Sequence, residues 1–335
     1  MALVLWKDKN SYRSLHIVST CWHIIAPINV KAHNFGGGHF GFELFIIGFN
    51  KYNNGWSFRL FNKKLVDMFS CKDILKHTPK SGLIETVEVK DSVTGEQLTN
   101  YTSLKGIRSV RSGVQAYNKL LEGVTITLYG TRCGATYRRI YSDDLHGAGR
   151  WYTLGGLQTM KSKYRKDILI DGKPCTEVDF KAMHPSILYT LIGVDKGEDF
   201  DPYQGVEDRE LAKKAMLCLL NAGDVHKAKL AVMKSCNYST KYEDIDRIVK
   251  ELFEINYEIN QSFGELDLWK RLQYYDAKIT EVVIGKFVSY GKPILPWHDS
   301  YVVLKDDREL LIEEMRNAWI EVFKTSINFK YKIEV

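Results

Sequence analysis

Two aspartates in this chain occupy positions from which a carboxylate could bind a metal ion. Asp179 lies near the end of residues 175–180, where acidic and apolar side chains alternate as in a strand with one open face. Asp299 lies in a short polar stretch between the apolar residues 294–295 and 301–304, a pattern typical of a hairpin. Carboxylates held in this way can bind a pair of Mg²⁺ ions, which stabilise the attacking and leaving oxygens of a phosphoryl transfer.

A pair of basic residues lies where it could bind phosphate groups. Arg209 and Lys213 are four positions apart in residues 206–221, whose apolar spacing predicts a helix. Residues at this spacing share one helix face, so both side chains can reach the same triphosphate. The alternative interpretation is a solvated helix face that binds no ligand.

The predicted elements around Asp179 would hold it rigidly. A helix is expected directly after the predicted strand, with Pro185 suited to its first turn because the missing N–H is not needed there. Asp179 is therefore expected at a strand-to-helix junction that is open on one side. In the alternative interpretation, Asp179 only caps that helix and Asp299 is only a turn residue.

The remaining pattern predicts a chain of mixed helices and strands. Residues 1–70 predict mainly strands, and the polar residues 81–102 predict a mobile hairpin or a linker. Helices are predicted over residues 109–121, 206–221, 224–236, 242–263, 266–290 and 307–324. Strands are predicted over residues 15–18, 42–49, 56–61, 124–129 and 329–335.

The composition indicates a polyanionic partner and a reducing compartment. The 335 residues carry a formal net charge of +6, and basic residues are concentrated between Lys105 and Lys166. The six cysteines form no CxxC pair, and residues 1–6 do not develop into a secretory leader before Lys7 and Asp8. We therefore expect free thiols and a cytoplasmic location. No apolar run reaches membrane-spanning length, so no membrane association is expected.

Several short motifs occur in one order along the chain. They are Gly149-Arg150, Leu157-Gln158, Asp179-Phe180, Arg209 with Lys213, Leu219-Leu-Asn-Ala222 and Leu295-Pro-Trp-His-Asp-Ser300. In this order they resemble the motifs of the family A DNA polymerases and of the related single-subunit RNA polymerases. The chain also resembles a compact branch of polymerase-like proteins from bacteria, phages and mobile elements. The resemblance covers about residues 137–325.

The resemblance implies an α+β fold with a right-hand palm on an antiparallel sheet and with helical fingers. Residues 126–335 would form this polymerase core, and residues 1–125 a smaller, β-rich accessory or thumb-replacing region. The implied activity is template-directed primer extension with pyrophosphate release, dependent on two Mg²⁺ ions that Mn²⁺ could replace. Implied partners are a primer–template or a single-stranded template, an NTP or dNTP, and a helicase or small accessory replication protein. The implied location is the cytosol of a bacterium or of a phage-infected host.

The resemblance also implies roles for individual residues. Asp179 and Asp299 would be catalytic and would bind the metal ions, together with the backbone carbonyl of Phe180. The nucleotide would contact Arg209, Lys213, His184 and Leu217. The primer–template would contact Arg150, Gln158, Arg165 and His298.

Two departures from the family pattern concern the choice of sugar. His184 stands where family A DNA polymerases have a glutamate that excludes the ribose 2′-OH, and Leu217 stands where they have an aromatic residue. Ser300 matches the RNA polymerase relatives, because the DNA polymerases have glutamate at this position. We therefore predict relaxed sugar choice. A primase or primase-polymerase that starts chains from rNTPs is the first alternative, and an inactive nucleic-acid-binding subunit of a replication module is the second.

Overall fold

The computed structural model describes residues 2–8, 11–17, 43–50 and 55–62 as backbone strands, and residues 85–154 and 157–334 in full. The first four strands are β1 (Ala2–Asp8), β2 (Ser11–Ile17), β3 (Glu43–Asn50) and β4 (Gly55–Asn62). They form an antiparallel sheet in the order β2-β1-β3-β4. The prediction that this region is mainly β agrees with these strands. Val18, Phe42, Val335 and residues 81–84 of the predicted segments lie outside the described residues.

Ten further strands form two more sheets. They are β5 (Val87–Lys90), β6 (Ile126–Leu128), β7 (Thr131–Arg132), β8 (Tyr137–Ser142), β9 (Ala148–Thr153), β10 (Ile168–Ile170), β11 (Lys173–Phe180), β12 (Leu295–Trp297), β13 (Ser300–Leu304) and β14 (Tyr331–Glu334). The larger sheet is antiparallel and has the order β12-β13-β11-β10-β6-β7. In the smaller sheet, β8 pairs in parallel with β5 and antiparallel with β9.

One edge of β11 is shared by two strands from distant parts of the chain. Its beginning pairs with β10 through Leu169 and Pro174, and its end pairs with β14 through Glu177 and Glu334. The other edge pairs with β13 along Cys175 to Asp179. Because β11 has a hydrogen-bonded neighbour on both sides, the strand that carries Asp179 is held rigidly.

Eight α-helices lie in the described residues. They are α1 (Ile107–Glu122), α2 (Ser162–Arg165), α3 (Met183–Leu191), α4 (Arg209–Asn221), α5 (Val225–Ser235), α6 (Tyr242–Ile255), α7 (Leu268–Ser289) and α8 (Arg308–Phe323). Asp208 caps α4 by accepting a hydrogen bond from the Leu211 N–H at 2.9 Å, so this helix begins at Arg209 and not at the predicted residue 206. The fold is thus a mixed α+β fold, as expected.

Helix α6 ends earlier than the sequence pattern predicts. The pattern continues to residue 263, but the helix stops at Ile255, before the fully buried Asn256. The Asn256 side chain donates hydrogen bonds to the carbonyls of Leu252 and Pro202 and accepts one from the Tyr189 hydroxyl. The buried Asn256 amide thus bonds to groups from three segments of the chain and fixes the backbone at the end of α6. Apolar spacing in the sequence does not reveal such a contact.

An aromatic cluster packs against one face of the larger sheet at the end of β11. The Phe180 ring lies 5.9 Å from the Trp319 ring, 6.3 Å from the Tyr301 ring and 5.8 Å from the Phe329 ring, centroid to centroid. Neighbouring residues of a strand point to opposite faces, so burial of Phe180 directs Asp179 to the other face of the sheet. Apolar contacts therefore fix the direction in which the carboxylate points.

Elements before residue 125 pack against elements that follow it. The Tyr117 hydroxyl of α1 donates a 2.6 Å hydrogen bond to the Ile294 carbonyl, and the Asn118 side chain bonds both backbone groups of Tyr137. The division of the chain at residue 125 stays a prediction. Within the part of the chain that the structure describes, none of the helices combines the length and the apolar composition needed to cross a membrane.

Candidate active site

The two aspartates meet at the junction of β11 and β13. Asp179 pairs with Ser300, and the Phe180 N–H donates a 3.0 Å hydrogen bond to the Asp299 carbonyl. Asp299 lies in the two-residue turn between β12 and β13, in which His298 adopts a left-handed φ of 61°. The hairpin predicted from the sequence and the pairing of β11 with β13 in the structure thus bring both carboxylates to one corner of the larger sheet.

Burial and mutual repulsion disfavour the charged forms of these aspartates. Burial raises the pKa of Asp179 to about 7, and the negative charge of Asp299 raises it as well, while Lys332 acts in the opposite direction. Burial also raises the pKa of Asp299, and the nearby Asp276 charge adds to this effect. The Oδ1 atom of Asp179 is buried and has no hydrogen-bond partner. A carboxylate pair in this condition is suited to bind a cation.

The two carboxylates at this corner are donors of the kind that Mg²⁺ takes. Among the described residues, no group of three or more His, Cys, Asp or Glu is placed to hold a metal ion together. Mg²⁺ is usually held by one or two carboxylates, with water and substrate phosphates as its other ligands. Two neighbouring carboxylates, one with a buried unpartnered oxygen, meet that requirement. The Phe180 carbonyl stays a predicted ligand.

A buried ionic cluster lies beside the aspartates. Arg150 of β9 donates a 2.6 Å hydrogen bond from Nε to Oδ2 of Asp276, a side chain that is 1% exposed. The Nη2 atom of Arg150 lies 3.1 Å from Nε2 of His184. Burial lowers the pKa of His184 to about 3, and the charges of Arg150 and His298 contribute. Because arginine can only donate, the neutral His184 ring accepts at Nε2 and carries its proton on Nδ1. The structure thus brings Arg150, His184 and His298 together.

Asp276 is the member of this cluster that the sequence analysis missed. It lies in α7 on the buried face that also carries Leu272 and Ile279. An acidic residue at an apolar position of a helix pattern is the signal that could have identified it, because a buried carboxylate needs a partner.

Backbone geometry fixes Arg150 in its position. The preceding Gly149 has a φ of +83°, and a Cβ atom there would lie 2.6 Å from the Tyr141 ring. Only glycine tolerates both this conformation and this close approach. The pairing of β8 with β9 also shifts register between Ile140 and Tyr141, which bends the strand beside Arg150.

His298 occupies a half-buried position in the turn. Burial lowers its pKa to about 4, and the positive charge of Arg150 lowers it further. Its ring contacts the Tyr152 ring edge to face, at 5.6 Å between centroids. His298 is therefore neutral at pH 7, and its proposed contact with a primer would be a hydrogen bond or a stacking contact.

Gln158 and Arg165 are engaged in contacts within the protein. The Gln158 amide donates to the carbonyls of Trp151 and Pro296, at 2.9 and 3.1 Å, and accepts from the Thr153 N–H. These bonds join β9 to β12. The assignment of Gln158 to primer–template binding stays a prediction.

Arg165 joins three parts of the larger sheet. Its guanidinium donates to Glu177 and to the Ser300 hydroxyl, and it lies 5.3 Å from the centroid of the Trp297 ring. The Ser300 hydroxyl in turn donates a 2.6 Å hydrogen bond to Glu177. Ser300, which departs from the DNA polymerase pattern, thus fixes β13 to β11 through a buried acid. A primer–template contact of Arg165 stays a prediction.

Replacing Glu177 with Gln should lower the free energy of unfolding by about 2 kcal/mol, because the variant leaves the half-buried Arg165 without its counter-charge. Urea unfolding at pH 7.5 would measure this change. Glu309→Gln is the matched control, since Glu309 is exposed and only contacts its neighbour Arg308. A loss no larger than that of the control would show that the Arg165–Glu177–Ser300 contacts do not stabilise the sheet.

Arg209, Lys213 and Leu217 form an exposed stripe on α4. Arg209 pairs with Asp201, and Lys213 pairs with Glu210 at 2.6 Å. Leu217 is 59% exposed, which is unusual for a leucine in a helix that buries its other face. The stripe therefore carries two cations and one apolar side chain toward solvent.

Tyr203 links this stripe to the aspartates. The Arg209 guanidinium lies 5.2 Å from the centroid of the Tyr203 ring. Burial raises the pKa of Tyr203 to about 12, and the charges of Asp201, Arg209 and Asp299 also act on it. The beginning of α4 is therefore near the corner that holds Asp299.

The described residues thus define a mixed α+β fold with a pair of neighbouring carboxylates at one corner of an antiparallel sheet. No protein-family model matches the chain, and no curated protein sequence matches it. Among solved structures, the chain is similar to the POL domain of Pol1 from M. smegmatis, in complex with DNA primer-template and dNTP. The sequence identity is 12% and the TM-score is 0.38. The match covers 68% of this chain and 50% of that chain, so this chain spans about half the length of its match. At this TM-score the likeness does not establish a shared fold.

Proposed function

We propose that this chain is a template-directed nucleotidyltransferase of the family A type, which extends a primer with release of pyrophosphate. The observation that supports it most is the pair of half-buried aspartates at the β11–β13 junction, with one carboxylate oxygen left without a partner. The order of the sequence motifs from Arg150 to Ser300 supports the same proposal. In it, the larger antiparallel sheet is the palm, and α4 to α6 are the fingers.

Asp179 and Asp299 would hold the metal ions, with the Phe180 carbonyl as a further ligand. Bound there, two Mg²⁺ ions would lower the pKa of a primer 3′-OH and neutralise the leaving pyrophosphate. The aspartates contribute a rigid pair of acceptors whose mutual repulsion a cation relieves. Strand pairing and the Phe180 cluster hold them in position before any substrate binds.

Arg209 and Lys213 would bind the triphosphate. Their present partners, Asp201 and Glu210, form exposed ion pairs, which contribute little stability and can be exchanged for phosphate oxygens. The planar guanidinium of Arg209 can bind two phosphate oxygens at once, whereas Lys213 acts as a point charge. Template bases would select the nucleotide by pairing, and the protein would bind mainly backbones.

Relaxed sugar choice is a specific part of the proposal. His184 stands in place of the glutamate that sterically excludes a 2′-OH in the family pattern, and Arg150 fixes its position. Leu217 offers an exposed apolar surface but no aromatic ring. These observations also favour the second candidate function, a primase or primase-polymerase that starts chains from rNTPs.

Incubation of the protein with a single-stranded DNA template and Mg²⁺ tests the proposal. Four reactions are needed, with rNTPs or dNTPs and with or without an annealed, labelled primer. Elongation of the primer that depends on template sequence supports the polymerase proposal, and products formed without primer from rNTPs support the primase. Template binding without any nucleotide incorporation would contradict both and favour an inactive nucleic-acid-binding subunit.

A further inference from the structure

Lys332 is a charged residue of the aspartate corner that no sequence motif indicates. It lies in β14 directly opposite Asp179 of β11, so the two side chains share one face of the sheet. The Lys332 Nζ atom lies 3.0 Å from Asp179 Oδ2. The same ammonium contacts Glu334, two residues further along β14. β14 thus brings a cation to the carboxylate that we assign to metal binding.

The charges around Asp179 are only partly balanced. Within the described part of the chain, the ion pair with Lys332 is the only one that Asp179 makes. The second oxygen of Asp179, Oδ1, is buried without a partner, and Asp299 adds a second negative charge nearby. One ammonium therefore partly neutralises a corner that holds two carboxylates.

We propose that Lys332 is the resident counter-cation of this aspartate pair, and that a divalent cation binding at Asp179 competes with its ammonium for the carboxylate. The inference rests on the proposed function, because it takes Asp179 as a metal ligand. The ammonium contacts Oδ2 of Asp179, the unpartnered Oδ1 belongs to the same carboxylate, and a positive charge a few ångströms away repels an incoming divalent ion. Lys332 therefore weakens metal binding. When no metal ion is bound, its ammonium balances part of the negative charge of the two aspartates.

The lysine side chain is suited to such an exchange. Its side chain is 45% exposed, so a displaced ammonium can return to water, and Glu334 offers a second partner on the same strand. Lysine carries its charge on a flexible four-carbon stem, in contrast to the planar, bidentate guanidinium of arginine. Displacement therefore needs no movement of the β14 backbone.

Mn²⁺ binding to the full chain, without nucleotide or nucleic acid, tests this inference. Titration at pH 8, followed by the electron paramagnetic resonance signal of free Mn²⁺, gives the Kd directly. We expect Lys332→Gln to lower the Kd about tenfold, because the competing charge is gone. Lys332→Arg, which keeps the charge and can bind the carboxylate bidentately, should not lower the Kd. Lys173→Gln removes an exposed lysine from the far end of β11 and should leave the Kd unchanged.

The outcomes separate this inference from the proposed function. If Mn²⁺ binding is lost in Asp179→Asn but is equal or weaker in Lys332→Gln, the role of Lys332 is wrong and the metal site stands. If the wild type shows no binding that depends on Asp179, both ideas fail. Should Lys332→Gln not fold, Lys332→Met retains the apolar stem and carries the same expectation. Circular dichroism melting curves establish which variants are folded.

Discussion

Replacing Asp179 or Asp299 with Asn should reduce primer extension by at least about a thousandfold while the fold survives. Each variant removes one of the two carboxylates that meet at the β11–β13 junction, so the remaining acid cannot hold the metal ions alone. Single-turnover extension of a labelled primer, with saturating Mg²⁺ and nucleotide, measures the effect on the chemical step. Asp306→Asn is the control, because Asp306 is exposed and lies outside the corner.

Stability measurements would distinguish this loss of activity from a loss of folding. The folded-state pKa of Asp179 is raised to about 7, so its ionisation costs stability as the pH rises from about 4 through 7. At pH 8 that cost is fully present, and Asp179→Asn removes it. The variant should therefore be at least as stable as the wild type at pH 8, and this advantage should disappear toward pH 4. Near wild-type extension by either aspartate variant would refute the assignment of the active site.

Replacing Arg150 with Met should lower the free energy of unfolding by about 3 kcal/mol at pH 7.5. The change leaves Asp276, which is 1% exposed, without the guanidinium that now neutralises it. The pKa of Asp276 is raised by burial even with Arg150 present. Urea unfolding measures the loss, and Arg209→Met is the matched control because its partner Asp201 is more exposed. The control should lose less than about 1 kcal/mol.

Two further measurements test the cause of this loss. The double variant with Arg150→Met and Asp276→Leu should recover much of the stability, since no unpaired buried charge remains. Protonation also removes the charge, so the deficit of Arg150→Met should shrink as the pH falls from 8 to 5. A deficit that is independent of pH and not recovered in the double variant would attribute the effect to lost packing of the Arg150 stem.

The positions of the two aspartates follow from local sequence, but their surroundings do not. Strand alternation and the hairpin pattern were sufficient to place Asp179 and Asp299 at strand ends, and the structure pairs those ends. Asp276 and Lys332 belong to a helix and a strand far away in the sequence, and only tertiary packing brings them to this corner. Local periodicity carries no information about such contacts.

The contacts of the polar residues that precede β11 could not be predicted from the sequence. The family resemblance assigns Gln158 and Arg165 to primer–template binding, which stays a prediction. In the structure their side chains join strands to one another, because hydrogen-bond donors also satisfy buried carbonyls and acids. Residue type alone does not distinguish these uses. The early end of α6 at Asn256 has the same origin.

The sharing of one β11 edge between β10 and β14 has a consequence for the order of folding. The β10–β11 hairpin closes a loop of a few residues, whereas β14 pairs with β11 across roughly 150 residues of chain. Contacts of such long sequence separation form late. The hairpin strand can therefore form while the edge beside Asp179 is still unpaired. During refolding, we expect hydrogen-exchange protection to appear at Leu169 and Ile170 before it appears at Ile333. The Lys332 ammonium would then reach Asp179 only in the last step.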